Sequence, residues 1–234
     1  PPSSLISNAV QLPENSTLKQ LYRQMTKTTD EIERTKLEEN IRMQITPGSI
    51  DVNIMTKIDR NNFSKNGELI ENGSEAVAAL RGYANSDLTN SSVIFSAGMN
   101  PRLYNYLENC TAFDINEDGG FNKKIIIKVS DYRSALIQGK YLAKKGMWVS
   151  EFRIESGLNC GGHAFATDGY LLGPILEEFK NNKQELIDTL FVMYNDAILK
   201  KHNRKFIYPP ALRFTVQGGI GTNEEAEKKK KKYG

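Results

Sequence analysis

From Ser49 onward, short apolar runs alternate with stretches in which apolar residues recur every three or four positions. The first pattern predicts strands and the second helices. Residues 50–55, 92–97, 124–129, 148–154 and 212–216 read as five strands. Between them, 74–84 reads as a helix with Ala76, Val77 and Leu80 on one face. A second helix opens at Pro101, whose missing N–H suits a first turn, and carries Leu103, Tyr106 and Leu107. A third spans 131–146 and is closed by Gly146, a residue suited to a left-handed cap. A long helix or helix pair covers 170–201, with Pro174 marking a start or a kink.

The first 48 residues differ. They are polar, with Leu18, Leu21 and Met25 at helical spacing behind a Ser16 or Thr17 cap. A second run, 30–43, alternates charges as a solvent-facing helix does. The expected organisation is a helical segment 1–48, a β/α region 49–227 and a Lys-rich end 228–234.

Strands alternating with helices predict a parallel sheet. Continuous apolar runs such as Ile125-Ile126-Ile127 fit strands covered on both faces. Five strands are fewer than the eight of a closed α/β barrel, which takes about 250 residues. The fold expectation is therefore α/β, a TIM (β/α)8-type barrel incomplete at its C-terminal end. An open barrel exposes two strand edges, which invites pairing with another chain, so a homodimer or a partner chain is expected.

Composition narrows the class. The 234 residues are 39% hydrophobic and 25% charged, ordinary values for a globular chain. The net charge is +3, but Lys228 to Lys232 supply five positive charges and leave −2 for the rest. No basic face with interleaved aromatics supports nucleic-acid binding. No apolar run approaches the roughly 20 residues of a membrane span. Pro1-Pro-Ser-Ser lacks the features of a signal peptide. Two cysteines are too few for a disulfide framework, so a reducing cytoplasmic setting is expected.

Candidate chemistry gathers at strand ends. The run 155–163, Glu-Ser-Gly-Leu-Asn-Cys-Gly-Gly-His, follows the fourth strand. Gly161 and Gly162 let backbone approach a ligand closely, and His163 has the ordinary pKa of a general base. The bland alternative is a loop histidine satisfying local hydrogen bonds. The run 217–222, Gln-Gly-Gly-Ile-Gly-Thr, follows the fifth strand and leads toward a helix start. Its N–H groups could hold phosphate, though Gly-rich turns after strands are common. Asn53 and Met55 end the first strand, where Asn53 either meets a flat polar ring edge or holds a neighbouring loop. Lys128 follows three apolar strand residues and either enters the site mouth or snorkels outward. Cys160 and His163 alone do not make a metal site, and none is expected.

In order and spacing, Val52-Asn53, Phe95-Ser-Ala-Gly98, Lys128-Val129-Ser130, the 155–163 loop and Gly218-Gly-Ile-Gly-Thr222 resemble the flavin-dependent nitronate monooxygenase superfamily. That superfamily, once called 2-nitropropane dioxygenase-like, includes FMN-dependent enoyl reductases. The resemblance covers about residues 49–227. It implies FMN at the C-terminal mouth of a TIM barrel and a small-molecule substrate, a nitronate or related carbon acid. Asn53, Met55 and Lys128 would meet the isoalloxazine ring, with Gly161 and Gly162 beside it. Gly218, Gly219, Gly221 and Thr222 would cradle the phosphate. His163 would handle the proton. Enoyl reduction and a non-catalytic binding module are the alternatives. The sequence departs from the family pattern where Leu158, Asn159 and Cys160 lengthen the loop before Gly161. It departs again where Lys228 to Lys232 fall at a position that calls for an apolar helix stripe.

Overall fold

The computed structural model describes residues 12, 14–45, 48–56, 59–155, 172–218 and 222–233. The chain divides into two compact units, Pro1–Gly48 and Ser49–Gly234.

The first unit is a helix pair, α1 (Thr17–Lys27) and α2 (Glu31–Gln44). Asp30 starts α2, its carboxylate accepting the N–H groups of Ile32 and Glu33. That satisfies two of the donors a helix start leaves without partners. The pair closes on a small cluster around buried Met25 and Ile41, with Leu18, Leu21 and Leu37 packed against it. Ile41 is wholly buried and Leu37 packs beside it, so the helix that reads as solvent-facing has an inward stripe.

The second unit alternates strands and helices. Its elements are β1 (Ile50–Ile54), α3 (Glu75–Ala84), β2 (Ser91–Phe95), α4 (Pro101–Leu107), β3 (Lys123–Val129), α5 (Tyr132–Ala143), β4 (Val149–Glu155), α6 (Leu172–His202), β5 (Arg213–Gln217) and α7 (Asn223–Tyr233). Each of α3, α4 and α5 begins on a side-chain cap, from Ser74, Asn100 and Asp131 respectively. Gly146 takes a positive φ of 72° at the turn after α5, where its N–H bonds the Ala143 carbonyl. Pro174 lies in the first turn of α6, which continues through it as one helix of 31 residues.

All four strand pairs are parallel, and the sheet order is β1-β2-β3-β4-β5. Strands laid down in sequence, each joined through a helix, carry those helices on a single face. The packing agrees. Val93, Phe95, Ile125, Ile127, Phe152 and Ile154 share one core with residues of the helices, such as Leu80, Leu103, Leu142 and Leu190. Ile94 and Ile126 are equally buried but stand outside that core, on the opposite face. The central strands β2 and β3 are therefore buried on both faces, as their continuous apolar runs predict. Among the described residues of this unit, helices cover one face, and the other closes by curvature.

The curvature is legible in one contact. Arg153 on β4 reaches Asp51 on β1 at 3.2 Å, across two intervening strands. Three strand spacings in a flat sheet come to about 14 Å, near the full combined reach of both side chains lying along the surface. Arg153 also holds Glu151 of its own strand at 2.9 Å, so it is not stretched out toward β1. The sheet must curl to bring Asp51 in, and the face opposite the helix-packed one is concave.

Candidate functional site

The concave face owes its chemistry to alternation and one irregularity. In β1 Asp51 and Asn53, and in β5 Arg213, Thr215 and Gln217, point away from the helix-packed positions. In β4 the pairing with β3 slips: Ile125 faces Val149, whereas Ile126 faces Glu151. Ser150 is the extra residue of a bulge. Without it, strict alternation would put apolar Val149 on the same face as Glu151. With it, Val149 joins the helix-side core, while Glu151, Arg153 and Glu155 line the concave face.

Glu151 is the hub. Its side chain is 2% exposed, and it receives Arg153 at 2.9 Å, Arg213 at 2.8 Å and the Thr215 hydroxyl at 2.7 Å. Burial disfavours the charge of Arg153. Hydrogen bonds and charge from Glu151, then from Asp51, outweigh that, and its pKa stands above the ordinary value. The network borders a cavity of about 500 Å³ whose lining includes Asp51, Asn53, Arg153, Arg213 and Gln217. β1 thus faces β4 and β5 across open space.

Lys128 and Glu155 form a second, separate pair at 2.7 Å near the C-terminal ends of β3 and β4. Their side chains are 11% and 10% exposed. Lys128 therefore does not snorkel. It turns onto the concave side and meets a carboxylate. An ammonium has three donors, so one bond to Glu155 leaves capacity for an anionic ligand.

The other expected site residues fall as follows. Asn53 and Met55 are exposed at the end of β1. Gly218 directly follows β5 with φ +80°, a conformation that favours glycine, and so makes the turn there possible. Thr222 caps α7, its hydroxyl accepting the Glu225 N–H at 3.2 Å. Gly161, Gly162, His163, Gly219 and Gly221 lie outside the described residues. Asn53, Lys128, Gly218 and Thr222 all come from strand C-terminal ends or the turns after them. Among the described residues, no group of three His, Cys, Asp or Glu side chains could hold a metal. No helix among them is long and apolar enough to cross a membrane.

Sequence reasoning missed Asp51, Glu151, Arg153, Arg213 and Thr215. The signal was present as period two: charges at 151, 153 and 155, and polar residues at 51 and 53 and at 213, 215 and 217. No known protein family, curated protein or solved structure matches the chain.

Proposed function

We propose that the second unit is an arc of a TIM-type barrel that binds FMN and oxidises a small nitronate or related carbon acid. The observation that supports this reading is the common location of Asn53, Lys128 and Gly218 at the C-terminal ends of the parallel strands β1, β3 and β5, with Thr222 at the start of the helix that follows β5. In barrel-type α/β enzymes, that end holds the site.

These residues suit the cofactor. Lys128 keeps N–H donors beyond its bond to Glu155 for an electron-rich ring edge. The Asn53 side chain offers both a donor and an acceptor, and makes no hydrogen bond to the other described residues. Gly218 takes φ +80° directly after β5, and Thr222 brings a hydroxyl to the start of α7. Glu224 and Glu225 already place negative charge in the first turn of α7. A phosphate there must therefore rely on N–H groups of the turn more than on the helix field. When bound, FMN supplies the redox chemistry, and the protein supplies position and proton handling. His163 would take the proton from the carbon acid on a ring nitrogen.

The test is direct. Purified protein should show flavin absorbance and release FMN on denaturation. His163→Ala should retain FMN and lose about 100-fold or more in turnover of a small neutral nitroalkane, whose α-proton must be removed, while turnover of the preformed nitronate falls much less. A colourless protein that takes up no added FMN refutes the reading. That outcome would favour a non-catalytic binding module, in which the Lys128–Glu155 pair is a closed structural contact.

A further inference from the structure

A groove on the helix-packed side of the sheet has a composition that neither the core nor the concave face explains. It lies between α6, β5 and α7 and has a volume of about 380 Å³. Small-molecule sites span about 300–1,000 Å³. Two helical stripes wall it. From α6 come Leu176, Phe179, Lys180 and Lys183; from α7 come Ala226, Lys229, Lys230 and Tyr233. Both sets have the spacing i, i+3, i+4, i+7, which is one face of a helix. Ile154, Phe214 and Val216 of the sheet form the floor.

The pattern of charge is one-sided. Four lysines line the groove, and no carboxylate does so among the described residues. Lys229 and Lys230 pair with Glu225 and Glu227 of their own helix, at 2.7 Å and 3.3 Å, and those carboxylates stand outside the lining. Lys183 holds its ammonium 5.4 Å from the centre of the Phe214 ring, over the apolar floor. Lysine stems are apolar and only their heads need water. The groove is therefore an apolar trough with cationic heads along both walls.

We propose that this groove binds an anionic amphiphile, an alkyl chain ending in a carboxylate. The chain would lie over Phe179, Phe214 and Val216, and the carboxylate would meet Lys180 and Lys183. A protein surface is a poorer fit, because interface centres are depleted in lysine and this trough has four. The proposal is independent of the flavin reading, since the groove lies on the opposite face of the sheet from Lys128 and Asn53.

The 234-residue chain should be titrated with 11-(dansylamino)undecanoate, followed by displacement with dodecanoate or dodecanol. One saturable site is expected, with dodecanoate displacing the probe at least 10-fold better than the uncharged alcohol. Lys180 and Lys183 are exposed, so K180E/K183E should keep its circular dichroism and urea midpoint while probe affinity falls at least 10-fold. Ala226→Trp, which fills the trough from α7, should abolish binding. Absence of saturation, equal displacement by the alcohol, or unchanged affinity in K180E/K183E would each overturn the proposal. So would sedimentation showing a dimer that Ala226→Trp dissociates, because a second copy would then occupy the groove. Because the readout is probe affinity in both FMN-free and FMN-supplemented protein, failure here leaves the flavin reading untouched.

Discussion

The two faces of the five-stranded sheet solve the same problem by opposite means. On the helix side, Phe95, Ile127, Phe152 and Ile154 pack against helices and need only to exclude water. On the concave side, Glu151 is as deeply buried as Phe152, yet it is surrounded by two arginines and a threonine hydroxyl. Apolar packing is tolerant of partner and non-directional. A buried carboxylate is neither, since each oxygen must meet a donor at a defined place. The helix face therefore holds the sheet together, while the concave face fixes which strands lie opposite one another. The 3.2 Å reach from Arg153 to Asp51 is the clearest case, because it registers β4 against β1 without any backbone bond between them.

The sharpest way to test that contrast is to remove one residue from each face. Phe152→Ala should be the most damaging, since it empties a fully buried site beside Phe214 and Gly139. A loss of about 4 kcal/mol is expected in urea unfolding followed by circular dichroism. Glu151→Ala should cost less, about 2–3 kcal/mol. Breaking a buried ion pair removes roughly 3–5 kcal/mol, but Arg213 is 68% exposed and regains water readily. Glu151→Gln should fall between that variant and wild type, because an amide oxygen still accepts from Thr215. Equal losses in Phe152→Ala and Glu151→Ala would mean that the concave face is a second core in its own right.

The legibility of the sequence follows the same division. Strands and helices of the second unit were readable because their apolar periods are strong and their starts carry Ser74, Asn100–Pro101 and Asp131. Parallel pairing followed from the alternation. The face assignment did not. Ile125-Ile126-Ile127 has no polar position to reveal that Ile126 faces away from the helices. The bulge at Ser150 is also invisible as composition, yet it decides which side Glu151 takes. Lys128 shows a third limit. Nothing local distinguishes snorkelling from pairing, because its partner Glu155 lies 27 positions along the chain. Contacts set by tertiary curvature, such as Asp51 with Arg153, have no local signature at all.

A smaller effect probes how closely the helix face is packed. A Cβ added to Gly139 on α5 would stand 2.8 Å from Leu190 Cδ1 and 3.1 Å from Phe152 Cζ. Alanine is the better helix former by about 1 kcal/mol, but crowding a filled core costs about 1–3 kcal/mol. Leu190 is 2% exposed and has little room to turn aside. Gly139→Ala should therefore destabilise by about 1 kcal/mol net, read as a lower urea midpoint at constant slope. A stabilised variant would show that α5 and α6 have slack between them, and that this face tolerates more than the contacts suggest.

The least effect is expected where the concave network meets water. Arg213 and Arg153 both hold Glu151, at 2.8 Å and 2.9 Å, but their surroundings differ. Arg153 is mostly enclosed and bridges to Asp51 as well; Arg213 is largely solvated at the edge strand. A solvated pair contributes little, roughly 0–1 kcal/mol, because water and salt screen it. Arg213→Ala should lower stability by about 0.5 kcal/mol, with the difference fading in 1 M salt. Arg153→Ala should lose several times more and keep most of that loss in salt, since screening reaches buried pairs poorly. If the two variants behaved alike, Glu151 would be held by the sum of its partners rather than by the enclosed one. The register of β4 against β1 would then need a source other than Arg153.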